Sequence, residues 1–162
     1  MTELTHLDAQ GRVRMVDVTA KKPSVRTAVA AAEVRMRPDT FEMIRDHKVK
    51  KGNVLETARI AAVMAAKRTA ELIPMCHPLK LTHVQVDFQP DSRENCILIR
   101  TSVRAVDSTG VEMEALTAAA VAALTIYDMC KAHDREMTIT GIQLIEKTGG
   151  KSGTFKRRAD QQ

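Results

Sequence analysis

The side chains most able to move protons in this 162-residue chain lie along one segment, Gly110 to Asp134, which is built from strong helix formers with no internal Gly or Pro. It predicts a helix of about six turns, with Thr109 and Glu112 spaced as a capping box at its start. At about 100° per residue, Glu114, Thr117, Val121, Thr125, Asp128 and Lys131 share one third of the circumference, and the rest is nearly all apolar. Asp128 and Lys131 stand one turn apart. On spacing alone they fit either an exposed ion pair worth a few tenths of a kcal/mol or a carboxylate and cation on the wall of a cleft. Threonines and a valine, rather than long charged side chains, separate the charges of this stripe, which favours the cleft.

Two further places carry chemistry. Pro74-Met75-Cys76-His77-Pro78 brackets a histidine between prolines, each of which restricts the residue before it to extended backbone. Such a turn aims His77, although a plain helix-to-strand connector has the same composition. The second place is Lys147-Thr148-Gly149-Gly150-Lys151-Ser152-Gly153. It contains Gly-Lys-Ser, but Ile145 stands where a P-loop needs its first glycine and no apolar helix follows. A glycine-rich loop with two lysines can still wrap an anion, or can be a frayed terminus. Cys76, Cys96 and Cys130 show no Cys-x-x-Cys spacing, so neither a zinc site nor a disulfide framework is expected, and no ligand cluster asks for a metal.

Several elements must position these residues. Val13 to Val18 alternates and predicts a short edge strand within a leader that ends at Lys21-Lys22-Pro23-Ser24. Arg26 to Met36 is taken as a strand despite its alanines. Pro38 opens a short helix through about Asp46, as proline does at a first helical turn. After the basic loop His47 to Gly52, Asn53 with Glu56 opens a second helix, whose face of Leu55, Ala58, Ala62, Ala65, Thr69 and Leu72 carries it to Ile73. Leu81 to Gln89 and Cys96 to Val106 alternate around a turn-rich segment and predict a hairpin. Met137 to Lys147 is a last strand, with Gly141 suggesting a bulge. Strand, helices, strand, strand, helix, strand is the split βαβ order. It gives an α+β class, a ferredoxin-like antiparallel sheet with helices packed on one face, in one domain over residues 1–162.

Composition narrows the function. The net charge of +5 is matched by five basic residues between Lys147 and Arg158, a stretch without an acid. A basic end could hold nucleic acid, but Phe41, Phe88, Phe155 and Tyr127 are the only aromatics, too few for a base-stacking platform, so a small anionic ligand fits better. Ala115 to Tyr127 is uncharged yet short of the ~20 apolar residues of a membrane span. With no signal-like N-terminus and reduced thiols expected, a cytoplasmic protein is the expectation.

Four separated segments resemble one family. Leu72 to Leu79, Thr109 to Thr117, Tyr127 to Lys131 and Lys147 to Gly153 are similar to motifs of the cyclic pyranopterin monophosphate synthases of molybdenum cofactor biosynthesis. The likeness runs from Met15-Val16-Asp17-Val18 through Lys51-Gly52 and Lys67-Arg68 to the tail. It implies a lyase that converts 3′,8-cyclo-7,8-dihydro-GTP to cyclic pyranopterin monophosphate with loss of pyrophosphate. A ferredoxin-like subunit, a hexamer built as a trimer of dimers, and an active site at a subunit interface are implied as well. By position, Asp128 would be the catalytic acid–base residue with Lys131 as its cationic partner. Met75, Cys76, His77, Met113 and Glu114 would line the substrate, and Lys51, Lys67 and Lys147 would supply charge to the triphosphate or to proton transfer. No cofactor is implied, though Mg²⁺ could accompany the triphosphate. The competing expectation is a non-catalytic basic protein that binds RNA or nucleotide through the Lys/Arg-rich tail.

Overall fold

A computed structural model describes residue 8 and residues 10–158 of the chain. The parts of the expected leader and tail beyond these lie outside the described residues. The elements are β1 (Ser24–Arg35), α1 (Pro38–Arg45), α2 (Val54–Lys67), α3 (Thr69–Leu72), β2 (Leu81–Asp91), β3 (Cys96–Asp107), α4 (Glu112–Cys130), β4 (Thr138–Thr148) and β5 (Phe155–Lys156). The strands form one antiparallel sheet in the order β2-β3-β1-β4-β5. Helices α2 and α4 pack on one of its faces, so the expected α+β, ferredoxin-like architecture holds.

Alternation along β1 explains the layer. Ala28, Ala30, Ala32 and Val34 point into the core, where Ala58, Ala62 and Ala66 of α2 and Ala115, Ala118, Ala119, Ala122 and Ala123 of α4 meet them. Small side chains on every contacting surface let the backbones approach closely, while Phe41, Ile97, Ile99 and Ile126 fill the larger gaps. By length and composition α4 could cross a membrane. Instead nine of its residues are buried against the sheet and α2, which makes it a core helix.

Four local expectations change. The helix starts at Glu112 with Val111 as an uncapped N-cap, so there is no capping box. The Glu112 carboxylate turns back over the bare Cα of Gly110, where a Cβ would collide with it. The helix also stops at Cys130, four residues short of Asp134, because the next residues turn to bring Asp134 under α1. The second helix is really two: Asn53 caps it through Glu56 N–H as expected, but the helix ends at Lys67 and a short α3 follows. There Thr69 Oγ1 donates to the carbonyls of Ala65 and Ala66, and Leu72 is left exposed rather than on the buried face. The Val13 to Val18 run forms no strand in the sheet; its Val16 and Val18 line a cavity. Finally the tail turns at Gly149 and Gly150 and returns as β5, which pairs with Glu146 and Lys147 of β4. The bulge near Gly141 is present, with Gly141 at φ 62° and the β1–β4 register slipping beside it.

Candidate active site

Residues named from the sequence gather in two places, one at each end of α4. At its C-terminal end Lys131 Nζ lies 2.7 Å from Asp128 Oδ1, and Lys51 Nζ lies 3.7 Å from Asp128 Oδ2 while donating to the Asp128 carbonyl at 2.9 Å. Lys51 reaches this point because the loop after α1 closes at Gly52, whose φ of 110° only glycine adopts freely. The hydrogen bond from Lys131, with the charges of Lys131 and Lys51, holds Asp128 below the usual carboxylate range. Beside this group lies a cavity of about 290 Å³ floored by Met43, Met129 and Cys130 and rimmed by Lys48, Lys50 and Lys51. Burial pushes the Cys130 thiol up to about 11, so it stays protonated.

At the other end of α4 a cavity of about 360 Å³ brings together Met75, Cys76 and His77 from the proline-bracketed turn and Glu112, Met113 and Glu114 from the first helical turn. Val16, Val18 and Lys21 of the leader complete its wall. Burial and the Glu114 charge push the Cys76 thiol up, and burial raises Glu114 itself to about 7.

This cavity continues into a basic cradle of about 640 Å³ and shares Lys21, Thr109, Gly110 and Glu112 with it. The cradle adds Lys22, Arg26, Lys147 and Lys151. Arg26 is fixed by donating from Nε and Nη2 to the carbonyls of Asp107 and Ser108, at 3.2 and 3.3 Å. The tail glycines lie directly against it: a Cβ on Gly150 would occupy the guanidinium, and one on Gly149 would run into the Val25 carbonyl. Lys147 Nζ bonds Ser152 Oγ within the loop. Four lysines and an arginine surround one acid, and Arg26 presents a planar, pre-positioned fork of the kind that suits an anion.

Lys67 joins neither group directly. It lines a small cavity of about 100 Å³ with Arg68, Glu71, Pro78 and the reverse side of Glu114. Along α4, Glu114 and Asp128 are fourteen residues apart, roughly 21 Å. Asp128, Lys131 and Lys51 therefore cannot meet a small ligand held by His77 and Lys147 of the same chain. Arg26, Lys21 and Glu112 line these cavities although the sequence did not single them out as site residues. Arg26 reads there as one residue of a strand, and only the pairing of β1 with β4 sets it beside Gly150.

The model of the MoaC family matches residues 15–150. Similar proteins named cyclic pyranopterin monophosphate synthase occur in Desulforapulum autotrophicum, at 63% identity over 96% of this chain and 95% of that protein, and in Thermomicrobium roseum, at 58% over 99% and 97%. A third, from a Roseiflexus species, is 60% identical over 96% of this chain and 98% of its own length. With a family match across most of its length and relatives this similar along nearly all of it, the chain belongs to the MoaC family.

Proposed function

We infer that the protein is a lyase of molybdenum cofactor biosynthesis that converts 3′,8-cyclo-7,8-dihydro-GTP to cyclic pyranopterin monophosphate and releases pyrophosphate. The observation that carries this, beside the family, is the joined pair of cavities: one of ring size with His77, Met113 and Glu114, the other a cradle of lysines and Arg26. A ligand with a purine-derived ring and a triphosphate fits that division. The cradle's cations stand where charge accumulates as pyrophosphate leaves. Mg²⁺ enters only as a companion of the triphosphate, and the reaction as written needs no resident cofactor. Three free cysteines accord with a cytoplasmic setting.

The proton-transfer group is Asp128 with Lys131 and Lys51, and a second copy of the chain brings it to the ring. Lys51, just before α2, touches Asp128, whereas Lys67, at the end of α2, lines a cavity with Glu114, so α2 and α4 run antiparallel. Midway between the two clusters this helix pair exposes Ile60, Met64 and Leu124. Val121 is the midpoint of Glu114 and Asp128. A two-fold axis near Val121 covers the apolar patch and sets Asp128 of each chain beside the His77 cavity of the other, which makes two complete sites. Covering Asp128 also strips away water and raises its proton affinity towards what acid–base work needs. Further association of such dimers gives the hexamer.

The test is a coupled assay in which purified protein receives freshly generated 3′,8-cyclo-7,8-dihydro-GTP and pyrophosphate and the cyclic product are followed. Wild type gives product, and Asp128→Asn loses about 10²–10⁴-fold in kcat while remaining folded and binding nucleotide. Near wild-type turnover by Asp128→Asn would remove Asp128 from the chemistry, and absence of product from folded wild type would remove the activity.

A further inference from the structure

Glu114 forms part of the wall of two cavities at once. One face borders the ring-sized cavity with His77 and Met113, and the other borders the 100 Å³ cavity with Lys67 and Glu71. The residue is only 4% exposed, and its own backbone N–H in the first turn of α4 favours the carboxylate while burial opposes it. The smaller cavity has room for about three waters. Its rim carries Lys67, Arg68 and Glu71, all on the protein surface, so water there exchanges with bulk solvent.

We propose that Glu114 is a proton relay between the ligand in the larger cavity and water in the smaller one. This deepens the lyase assignment and rests on it, because ring opening and reclosure consume and release protons that a positioned carboxyl group has to pass on. In the donating direction the Oε–H bond of neutral Glu114 breaks toward a ligand atom. The carboxylate then takes a proton from water in the small cavity, and that water is reprotonated from bulk. The accepting direction is the reverse, with no net change in the protein.

The surroundings suit a group that works in both directions. Burial, and after it the Glu112 carboxylate, favour the neutral acid, while its own backbone N–H favours the anion, leaving Glu114 near 7. The groups facing it are Glu112 on its own helix, Lys21 of the leader, Cys76 and His77 on the turn, Lys67 and Arg68 at the end of α2, and Glu71 of α3. Lys67 and Arg68 lie on the solvent side of the smaller cavity. The raised Cys76 thiol does not compete for the proton.

Three measurements test this on the full-length enzyme. Glu114→Gln should lower kcat by about 10²–10⁴-fold and abolish the ionisation near pH 7 in the pH–rate profile, while the affinity for GTP, used as a non-reacting probe, stays within about threefold. Ala70→Leu, at a residue that lines the small cavity but not the larger one, should lower kcat and enlarge the solvent deuterium isotope effect with KM unchanged. Carbon-13 NMR of the wild-type carboxyl should show Glu114 titrating near 7, a readout that needs no turnover and stands even if the lyase assignment fails. The relay is overturned by any of three results: an unaltered pH–rate profile in Glu114→Gln, Ala70→Leu turning over at the wild-type rate, or a Glu114 titration at the ordinary glutamate value. Loss of GTP binding in folded Glu114→Gln would overturn it too, by making the residue a ligand contact alone.

Discussion

Asp134 shows how much a single buried carboxylate can organise. It accepts hydrogen bonds from Arg37 N–H at 3.0 Å, Thr40 Oγ1 at 3.2 Å and Glu136 N–H at 3.0 Å. Burial alone would raise it, but these donors outweigh burial and keep it ionised. Asp134→Ala leaves three donors unpaired and should destabilise the fold by about 2–3 kcal/mol in urea unfolding. Glu114 has the opposite sign. Its native value near 7 lies above the ordinary 4.5, so the native state holds a proton that the unfolded chain has lost. Stability therefore falls as pH rises from about 4.5 to about 7 and is level above. Glu114→Gln should raise the thermal midpoint at pH 8, with the gain vanishing by pH 4, as a pH series of melting curves will show. Asp128 and Lys131 were legible from sequence because a helix turns fixed spacing into a shared face. Arg26 was not, since its importance comes from Gly149 and Gly150 lying against it, more than a hundred residues away in sequence.

Elements with local rules were also legible, and those decided by distant contacts were not. Pro38 and Asn53 began helices where they should, because a fixed φ and a side-chain cap act within one turn. The capping box failed when the Glu112 side chain folded over Gly110 instead of reaching back to Thr109. The leader's alternation suggested a strand, yet Val16 and Val18 found apolar partners at the cavity rather than at a sheet edge. The glycine loop is the element most sensitive to small change. Gly149, at φ 97°, faces the Val25 carbonyl, so Gly149→Ala should destabilise by about 1–3 kcal/mol. By displacing Lys147 and Lys151 it should also weaken GTP binding more than guanosine binding, a difference that calorimetry with both ligands will measure. Equal loss for the two would detach the loop from the phosphates.

For the whole molecule, the two ends of α4 make a statement about assembly. A chain lacking Asp128 and a chain lacking His77 should each be inactive, yet subunits of Asp128→Asn and His77→Ala mixed after mild dissociation should recover about a quarter of wild-type activity, since half the dimers are mixed and each has one intact site. Recovery in the mixture, set against either variant alone, places the two groups on different chains. Leu124→Glu should release smaller species in sedimentation and lose activity with them. The separation of roughly 21 Å between Glu114 and Asp128 also makes α4 a ruler. One residue inserted at its middle would swing Asp128 by about 100° around the axis relative to Glu114, and seven would nearly restore the bearing but lengthen the span by about 10 Å. Neither change could be absorbed by a symmetric pair of chains, because each would be felt at both sites at once. The residue count between Glu114 and Asp128 should therefore stay constant throughout the family.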